Sequence, residues 1–188
     1  MSESLLNDLN KFKDTYYSEN KKSVFQKKAQ KYEIAKEITS RFDINILLQK
    51  TAYIIPNTNK VFVNYLMFKQ FAQPDNYELF VKYVQNLVSI IIDKKNTLEC
   101  HINIESFTIS AAERYKGVIQ TFSESVFGYT ENMDAIYVYN APSMIEKISK
   151  IFVQFLDQTV KNKIILVNKI EGEETVANFK KFSFRNEL

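Results

Sequence analysis

Apolar residues recur at helical spacing through the first forty residues of the chain. The repeats predict two helices that end near Arg41, the first with Leu5, Leu6, Leu9 and Phe12 on one face. Lysines are dense around the break between them. Lys21, Lys22, Lys27 and Lys28 are candidates for contact with an anionic membrane surface, and the alternative interpretation is a solvated helix face.

From residue 46 the pattern changes to β-branched and aromatic residues. Residues 51–55 and 61–68 are predicted strands, and the turn residues between them predict a hairpin. After Pro74, Asp75 is a candidate cap for a helix that extends to Lys95. The second half of this helix is apolar on nearly every side, so we expect it to be deeply buried.

Strands and helices then alternate. Strands are predicted over 99–107, 135–139 and 164–167. Two capping-box patterns, at Ser110 and Ser143, predict helices that run to Phe127 and to about Leu156. The order predicts an α/β fold with a mainly parallel sheet, crossover helices and a hairpin at one side. We expect a helical extension over residues 1–45, the α/β domain over 46–172 and a C-terminal tail over 173–188.

Composition narrows the function classes. The chain of 188 residues has one cysteine, which indicates a reducing compartment, and no apolar run that could act as a signal peptide or cross a membrane. We therefore expect a cytoplasmic protein. Its net charge is +3, and the basic residues are almost all lysines. Nucleic acid is not an expected partner, because dedicated nucleic-acid binders concentrate arginine in a stripe.

Catalytic and cofactor motifs are missing from the sequence. Cys100 and His101 are the only residues of their kinds. As neighbours on a predicted strand they point to opposite faces, so they cannot act as a thiol–imidazole pair. Three scattered glycines cannot form a phosphate-binding loop, and one His with one Cys cannot form a zinc site. We expect no enzyme activity, no metal and no cofactor, and we interpret His101 as a hydrogen-bonded strand residue.

Four sequence blocks resemble one family in their order and spacing. They are Asn103-Ile104-Glu105-Ser106-Phe107, Tyr129-Thr130-Glu131-Asn132-Met133, Asn140-Ala141-Pro142, and Phe155-Leu156-Asp157 followed by Lys163-Ile164. This pattern resembles the CRAL-TRIO domain, the lipid-binding fold of phosphatidylinositol-transfer proteins and of retinaldehyde- and tocopherol-binding proteins. Asn103, Ser106, Thr130 and Ser143 replace the family's usual Asp, Gly, Pro and Trp. The chain thus looks like a reduced and divergent member.

The resemblance implies that the helix after Asn140-Ala141-Pro142 is a gate over an apolar cavity. The implied pocket and gate residues are Met144, Ile145, Ile148, Phe152 and Phe155 of the helix, with Tyr137, Tyr139 and Asn103 on the strands. Two function classes follow. One is a lipid-binding or lipid-transfer module that holds one apolar lipid or phospholipid. The other is a non-enzymatic protein-interaction or structural domain, in which Phe and Tyr side chains fill the cavity.

Overall fold

A computed structural model describes residues 2–21, 27–125 and 127–184. The helices are α1 (Ser2–Glu19), α2 (Lys27–Arg41), α3 (Ile44–Thr51), α4 (Tyr65–Phe71), α5 (Pro74–Lys95), α6 (Ile109–Ser125), α7 (Ile145–Phe152), α8 (Gln158–Asn162) and α9 (Lys169–Lys180). The strands are β1 (Ala52–Ile54), β2 (Lys60–Asn64), β3 (Leu98–Asn103), β4 (Met133–Tyr139) and β5 (Ile164–Leu166).

The five strands form one sheet in the order β1-β2-β3-β4-β5. β1 and β2 pair antiparallel as a hairpin, and the pairs from β2 to β5 are parallel. Helices connect the parallel strands. The predicted α/β fold with a mainly parallel sheet and a hairpin at one side is therefore confirmed.

The two faces of the sheet are covered by different elements. Side chains alternate along each strand, so Val61 and Cys100 point to one side while Phe62 and His101 point to the other. The helical face, which carries Val61, Cys100 and Ile136, shares a hydrophobic core with α1 to α7. The aromatic face carries Tyr53, Phe62 and Tyr139, and these pack with Val176 of α9.

The N-terminal helices are part of the same core. Leu9 of α1 and Ile38 of α2 are fully buried, and Ile34 is 1% exposed. All three belong to the hydrophobic cluster that includes the sheet. The predicted N-terminal helices are thus present, and their apolar stripes cover the α/β domain. The division at residue 45 stays a prediction.

Local structure differs from the prediction between residues 44 and 71. Residues 44–51, where we expected the strand pattern to begin, form α3, whose first turn is capped by Asp43. The predicted strand over 61–68 ends at Asn64, because the Asn64 side chain accepts a hydrogen bond from the Leu66 backbone N–H at 3.2 Å. This cap begins α4 at Tyr65, so residues 65–68 are helical.

Two helix starts also lie at other residues than predicted. α5 extends over Pro74–Lys95 as expected, but its N-cap is Gln73 rather than Asp75, and the Gln73 backbone N–H donates to Asn76 Oδ1 at 3.1 Å. α6 begins at Ile109. Thr108 Oγ1 accepts from the Ala111 backbone N–H at 3.2 Å, so this threonine replaces Ser110 as the capping residue.

Residues 173–184, which we expected to lie in a tail, form regular structure. Residues 173–180 belong to α9, which Asn168 caps through the Glu171 backbone N–H, and a 3-10 turn follows over Lys181–Phe184. A Cβ atom on Gly172 would lie 3.4 Å from Tyr139 Cδ1, which shows how closely α9 crosses the sheet. The sequence did not suggest this helix, because its apolar residues are sparse and its surface is highly charged.

Candidate functional site

Helix α7 is the candidate gate, and it is strongly amphipathic. Ile148 is 2% exposed and belongs to the core of the helical face, while Ile145, Ile151 and Phe152 are partly buried against the same core. Glu146, Lys147, Ser149 and Lys150 are exposed. The helix therefore has one apolar stripe, narrower than the sequence suggested, and faces water on its other side.

Aromatic contacts hold α7 and the segment after it. The ring centroids of Phe152 and Phe107 are 6.3 Å apart, and Lys116 Nζ of α6 lies 5.2 Å from the centroid of the Phe155 ring. Met144 is 45% exposed, so the first of the predicted gate residues faces solvent. The structure thus packs Ile145, Ile148 and Phe152 with the core of the helical face and places Phe155 beside Lys116 of α6.

The start of α7 is not the predicted capping box. Its N-cap is Met144, which has no side-chain cap hydrogen bond, and Ser143 is exposed. The helix ends at Phe152 rather than near Leu156. The N-terminal amide groups are instead partly satisfied by backbone carbonyls, since Ile145 N–H donates to Pro142 O at 2.9 Å. A side-chain cap at a helix N-terminus stabilises the helix by about 1 kcal/mol, and α7 has no such contribution.

Tyr137 and Tyr139 lie on the aromatic face, opposite the face that α7 covers. The structure therefore does not bring them together with the gate stripe. His101 stacks between them, with ring-centroid distances of 4.9 Å to Tyr137 and 5.8 Å to Tyr139. Phe179 of α9 closes the cluster at 4.9 Å from His101.

A chain of polar contacts runs through this cluster. Lys60 Nζ lies 3.1 Å from Glu99 Oε2, Glu99 Oε2 lies 3.3 Å from His101 Nε2, and His101 Nδ1 lies 2.7 Å from the Tyr139 hydroxyl. The expectation that His101 is a hydrogen-bonded strand residue is confirmed. Strand alternation alone would place Glu99 beside His101, but the contacts with Lys60 and Tyr139 depend on the register of neighbouring strands.

Burial keeps these groups in their neutral forms. The pKa of His101 is lowered to about 4, first by burial and then by the Lys60 ammonium, against the opposing pull of Glu99. Burial raises the pKa of Tyr139 to about 12. On the other face of the sheet, burial raises the pKa of the Cys100 thiol to about 12, so this cysteine is a thiol at neutral pH.

Asn103 is fully buried and joins the carboxyl ends of three parallel strands. Its Nδ2 donates to Asn64 Oδ1 at 3.2 Å, and its Oδ1 accepts from Asn140 Nδ2 at 2.9 Å. Asn140 has a positive φ of 54°, a conformation that asparagine tolerates well. The contacts of Asn103 are those of a structural residue. Sequence reasoning missed its partners, because Asn64 and Asn140 come from separate strands.

Two open grooves flank the aromatic face. One, of about 580 Å³, lies at the carboxyl end of the sheet and is lined by Glu105, Asn140, Ala141, Val167, Lys169 and Glu173. The other, of about 560 Å³, follows the edge strand β5 and is lined by Tyr137, Tyr139, Ile165, Leu166, Val167, Asn168, Glu171 and Thr175. Neither is lined by a residue of α7. The two tyrosines that the sequence singled out thus border the edge groove.

Of the four candidate membrane lysines, only Lys21 can be placed fully, and it is exposed. Lys22 lies outside the described residues. Lys27 and Lys28 begin α2, and their side chains fall outside the part of the chain that the structure describes. In the described ranges, no helix is both long and apolar enough to cross a bilayer.

The chain has a mainly parallel sheet with helices on both faces, and an amphipathic helix follows Asn140-Ala141-Pro142. The family model for the CRAL/TRIO domain matches residues 59–183, which include β2 to β5 and α9. The chain therefore belongs to the CRAL/TRIO family, whose members form a lipid-binding and lipid-transfer group. A search of curated proteins found no match to the chain.

Proposed function

We propose that this protein is a lipid-binding module of the transfer type, which holds one apolar lipid or phospholipid beneath α7. The observation that carries the proposal is the position of α7. It covers the helical face with one apolar stripe, has no side-chain cap hydrogen bond at its N-cap, and is followed by exposed Val153 and Gln154. Its one fully buried residue is Ile148.

The cost of moving α7 is small compared with that of moving the long helix α5. Full burial of an aliphatic side chain contributes about 2 kcal/mol. Detaching α7 exposes Ile148 and parts of Ile145, Ile151 and Phe152, so it costs several kcal/mol at most by this measure. Helix α5 buries Phe80, Val81, Val84, Leu87, Val88 and Ile91, which corresponds to about 12 kcal/mol. An apolar ligand or membrane surface would offset the first cost but not the second.

A second candidate function is a protein-interaction domain without a lipid. Filled space beneath the gate favours it, since Phe107 and Phe152 approach each other and Ile148 is packed into the core. Under this alternative α7 is an ordinary core helix, and non-catalytic contacts with a protein partner are the function. The two candidates differ in whether lipid accompanies the protein and in what happens when Ile148 becomes charged.

The test is native mass spectrometry of the protein made in a lipid-containing host, beside the thermal stability of Ile148→Asp. The lipid proposal expects a lipid-sized mass on the wild type. It also expects Ile148→Asp to lose that mass while it stays folded, because α7 swings out and the carboxylate becomes hydrated. Ile170→Asp is the matched control, since Ile170 is 85% exposed.

A wild type that carries no lipid, together with an Ile148→Asp protein that melts far earlier than Ile170→Asp, would contradict the proposal. An unpaired carboxylate held in a packed core costs several kcal/mol. That result would favour the interaction domain.

A further inference from the structure

Three cationic side chains lie near enough to influence one another where the N-terminal helices join the α/β domain. We call them the junction cluster: Lys13 of α1, Lys69 of α4 and Arg114 of α6, all half-buried. Among the residues that the structure describes, none of the three has a carboxylate within 4.0 Å. Positive charge is therefore concentrated at this junction, with no carboxylate in direct contact with it.

Neutral side chains accept hydrogen bonds from the two lysines of the cluster. Lys13 Nζ donates to Gln70 Oε1 at 2.7 Å, and Lys69 Nζ donates to Ser106 Oγ at 2.8 Å. Gln70 follows Lys69 in α4, so the Lys13 contact brings α1 against that helix, while Lys69 reaches the segment after β3.

Two neighbouring tyrosine rings contact Lys69 and Arg114. Lys69 Nζ lies 5.8 Å from the Tyr65 ring centroid, the Tyr65 and Tyr115 centroids are 6.1 Å apart, and Arg114 Cζ lies 5.5 Å from the Tyr115 centroid. Arg114 Nε is buried and has no hydrogen-bond partner in the described ranges. The guanidinium therefore keeps an unused donor inside the cluster.

The charges at the junction destabilise one another. The pKa of Lys13 is lowered to about 8, first by burial and then by the charges of Lys69, Lys31 and Arg114 in that order of effect. Burial also lowers the pKa of Lys69, with Glu105 as the opposing acid. Lys31, which belongs to α2, is exposed. Half-buried cations without a counter-ion are costly, and an anion supplied from outside would remove that cost.

We propose that the junction cluster binds a phosphate group, carried by a soluble phosphoanion or by a lipid headgroup, between α1, α4 and α6. A carboxylate carries one negative charge, whereas a phosphate ester carries about −1.5 to −2 at neutral pH and offers three acceptor oxygens. The phosphate matches three cations better. Ammonium groups and a planar guanidinium are the side chains that bind it most strongly.

This site is separate from the lipid site proposed beneath α7. The cluster lies on α1, α4 and α6 and uses no residue of the gate stripe. The two proposals can therefore fail independently, and Ile148→Asp should keep its response to phosphate.

The first experiment measures thermal unfolding of the full chain in sodium phosphate and in sodium chloride at matched ionic strength. We expect phosphate to raise the melting temperature more than chloride does, because it binds the folded state. A parallel arm measures binding to phosphatidylcholine vesicles with and without a phosphatidylinositol phosphate. A response to free phosphate alone assigns a soluble ligand, and a response to doped vesicles alone assigns a headgroup.

The variants are Lys13→Met and Arg114→Gln, with Lys36→Met as the control. Lys36 is exposed on α2, and its replacement changes the net charge equally. Loss of one charge-assisted contact should weaken phosphate binding about tenfold, and the control should not. Lys13→Met should also melt at or above the wild-type temperature in phosphate-free buffer, because it removes a repelled cation.

Two results would overturn the proposal. One is the absence of any preference for phosphate over chloride together with equal binding to plain and doped vesicles. The other is a Lys13→Met protein that melts earlier than the wild type yet keeps the full phosphate response, as a merely structural lysine would.

Discussion

At the scale of single residues, His101 shows how the sheet treats a titratable group. The ring is 3% exposed, stacks on Tyr137 and contacts the Tyr139 hydroxyl, so a proton on it would have little access to water. Its neighbour Cys100 lies on the other face in the apolar core. Alternation along a strand was sufficient to predict this separation. It could not predict the hydrogen-bond partners, which come from the adjacent strands β2 and β4.

We expect acid to destabilise the fold through His101. Its pKa falls from 6.5 to about 4 on folding, so between these values the unfolded chain binds a proton that the folded chain does not. The contribution of His101 to the free energy of unfolding is therefore complete above about pH 6.5. It is lost as the pH falls towards 4. The loss is about 3 kcal/mol, from roughly 1.4 kcal/mol per pKa unit.

Urea unfolding of the wild type and of His101→Gln, at neutral pH and at about pH 5, checks this effect. The glutamine variant should lose less stability between the two pH values than the wild type. The carboxylates are common to both proteins, so only the difference between them matters. Equal losses would show that His101 does not contribute.

At the scale of elements, sequence signals located the interiors of helices and strands better than their ends. The 22-residue helix α5 and the strand positions followed from periodicity. The capping patterns at Ser110 and Ser143 were misleading, because Thr108 caps α6 first and α7 starts at Met144 without a side-chain cap. A capping pattern shows that a cap is chemically feasible at that position. Packing of the helix decides which residue forms it.

The four candidate membrane lysines between residues 21 and 28 lead to a prediction about membrane contact. Should Lys21, Lys22, Lys27 and Lys28 contact anionic lipid, binding to vesicles rich in phosphatidylserine should weaken steeply as salt is raised from low to physiological ionic strength. Each lysine near the surface contributes about 1 kcal/mol. The measurement is co-sedimentation across a salt series, with phosphatidylcholine vesicles and the Lys94→Met variant as controls, since Lys94 is exposed on α5.

Binding that does not change with salt would contradict an electrostatic contact, and so would an absence of binding to the anionic vesicles. The lysines would then form a solvated helix face, the alternative that the sequence left open.

At the scale of the whole molecule, the sequence predicted the α/β fold, and elements outside residues 46–172 also pack on its sheet. Both the N-terminal helices and α9 cover the sheet, on the helical and aromatic faces respectively. The candidate site was only partly predictable from the sequence. The gate stripe followed from helix periodicity, whereas Tyr137, Tyr139 and Asn103 were assigned to it without knowing which face each strand residue occupies.

The shared core leads to the last prediction, that α1 unfolds together with the sheet. Leu9 is fully buried in the cluster that contains β2, β3 and β4, so Leu9→Ala should cost about 3 kcal/mol. Leu79→Ala on α5 is the matched control, because Leu79 is 44% exposed and its truncation leaves no internal cavity. Urea unfolding followed by far-UV and near-UV circular dichroism should give coincident transitions for both variants. An extension that merely rests on the domain would instead give a Leu9→Ala protein with an early far-UV transition, while the near-UV signal of the tyrosine-rich core kept the wild-type midpoint.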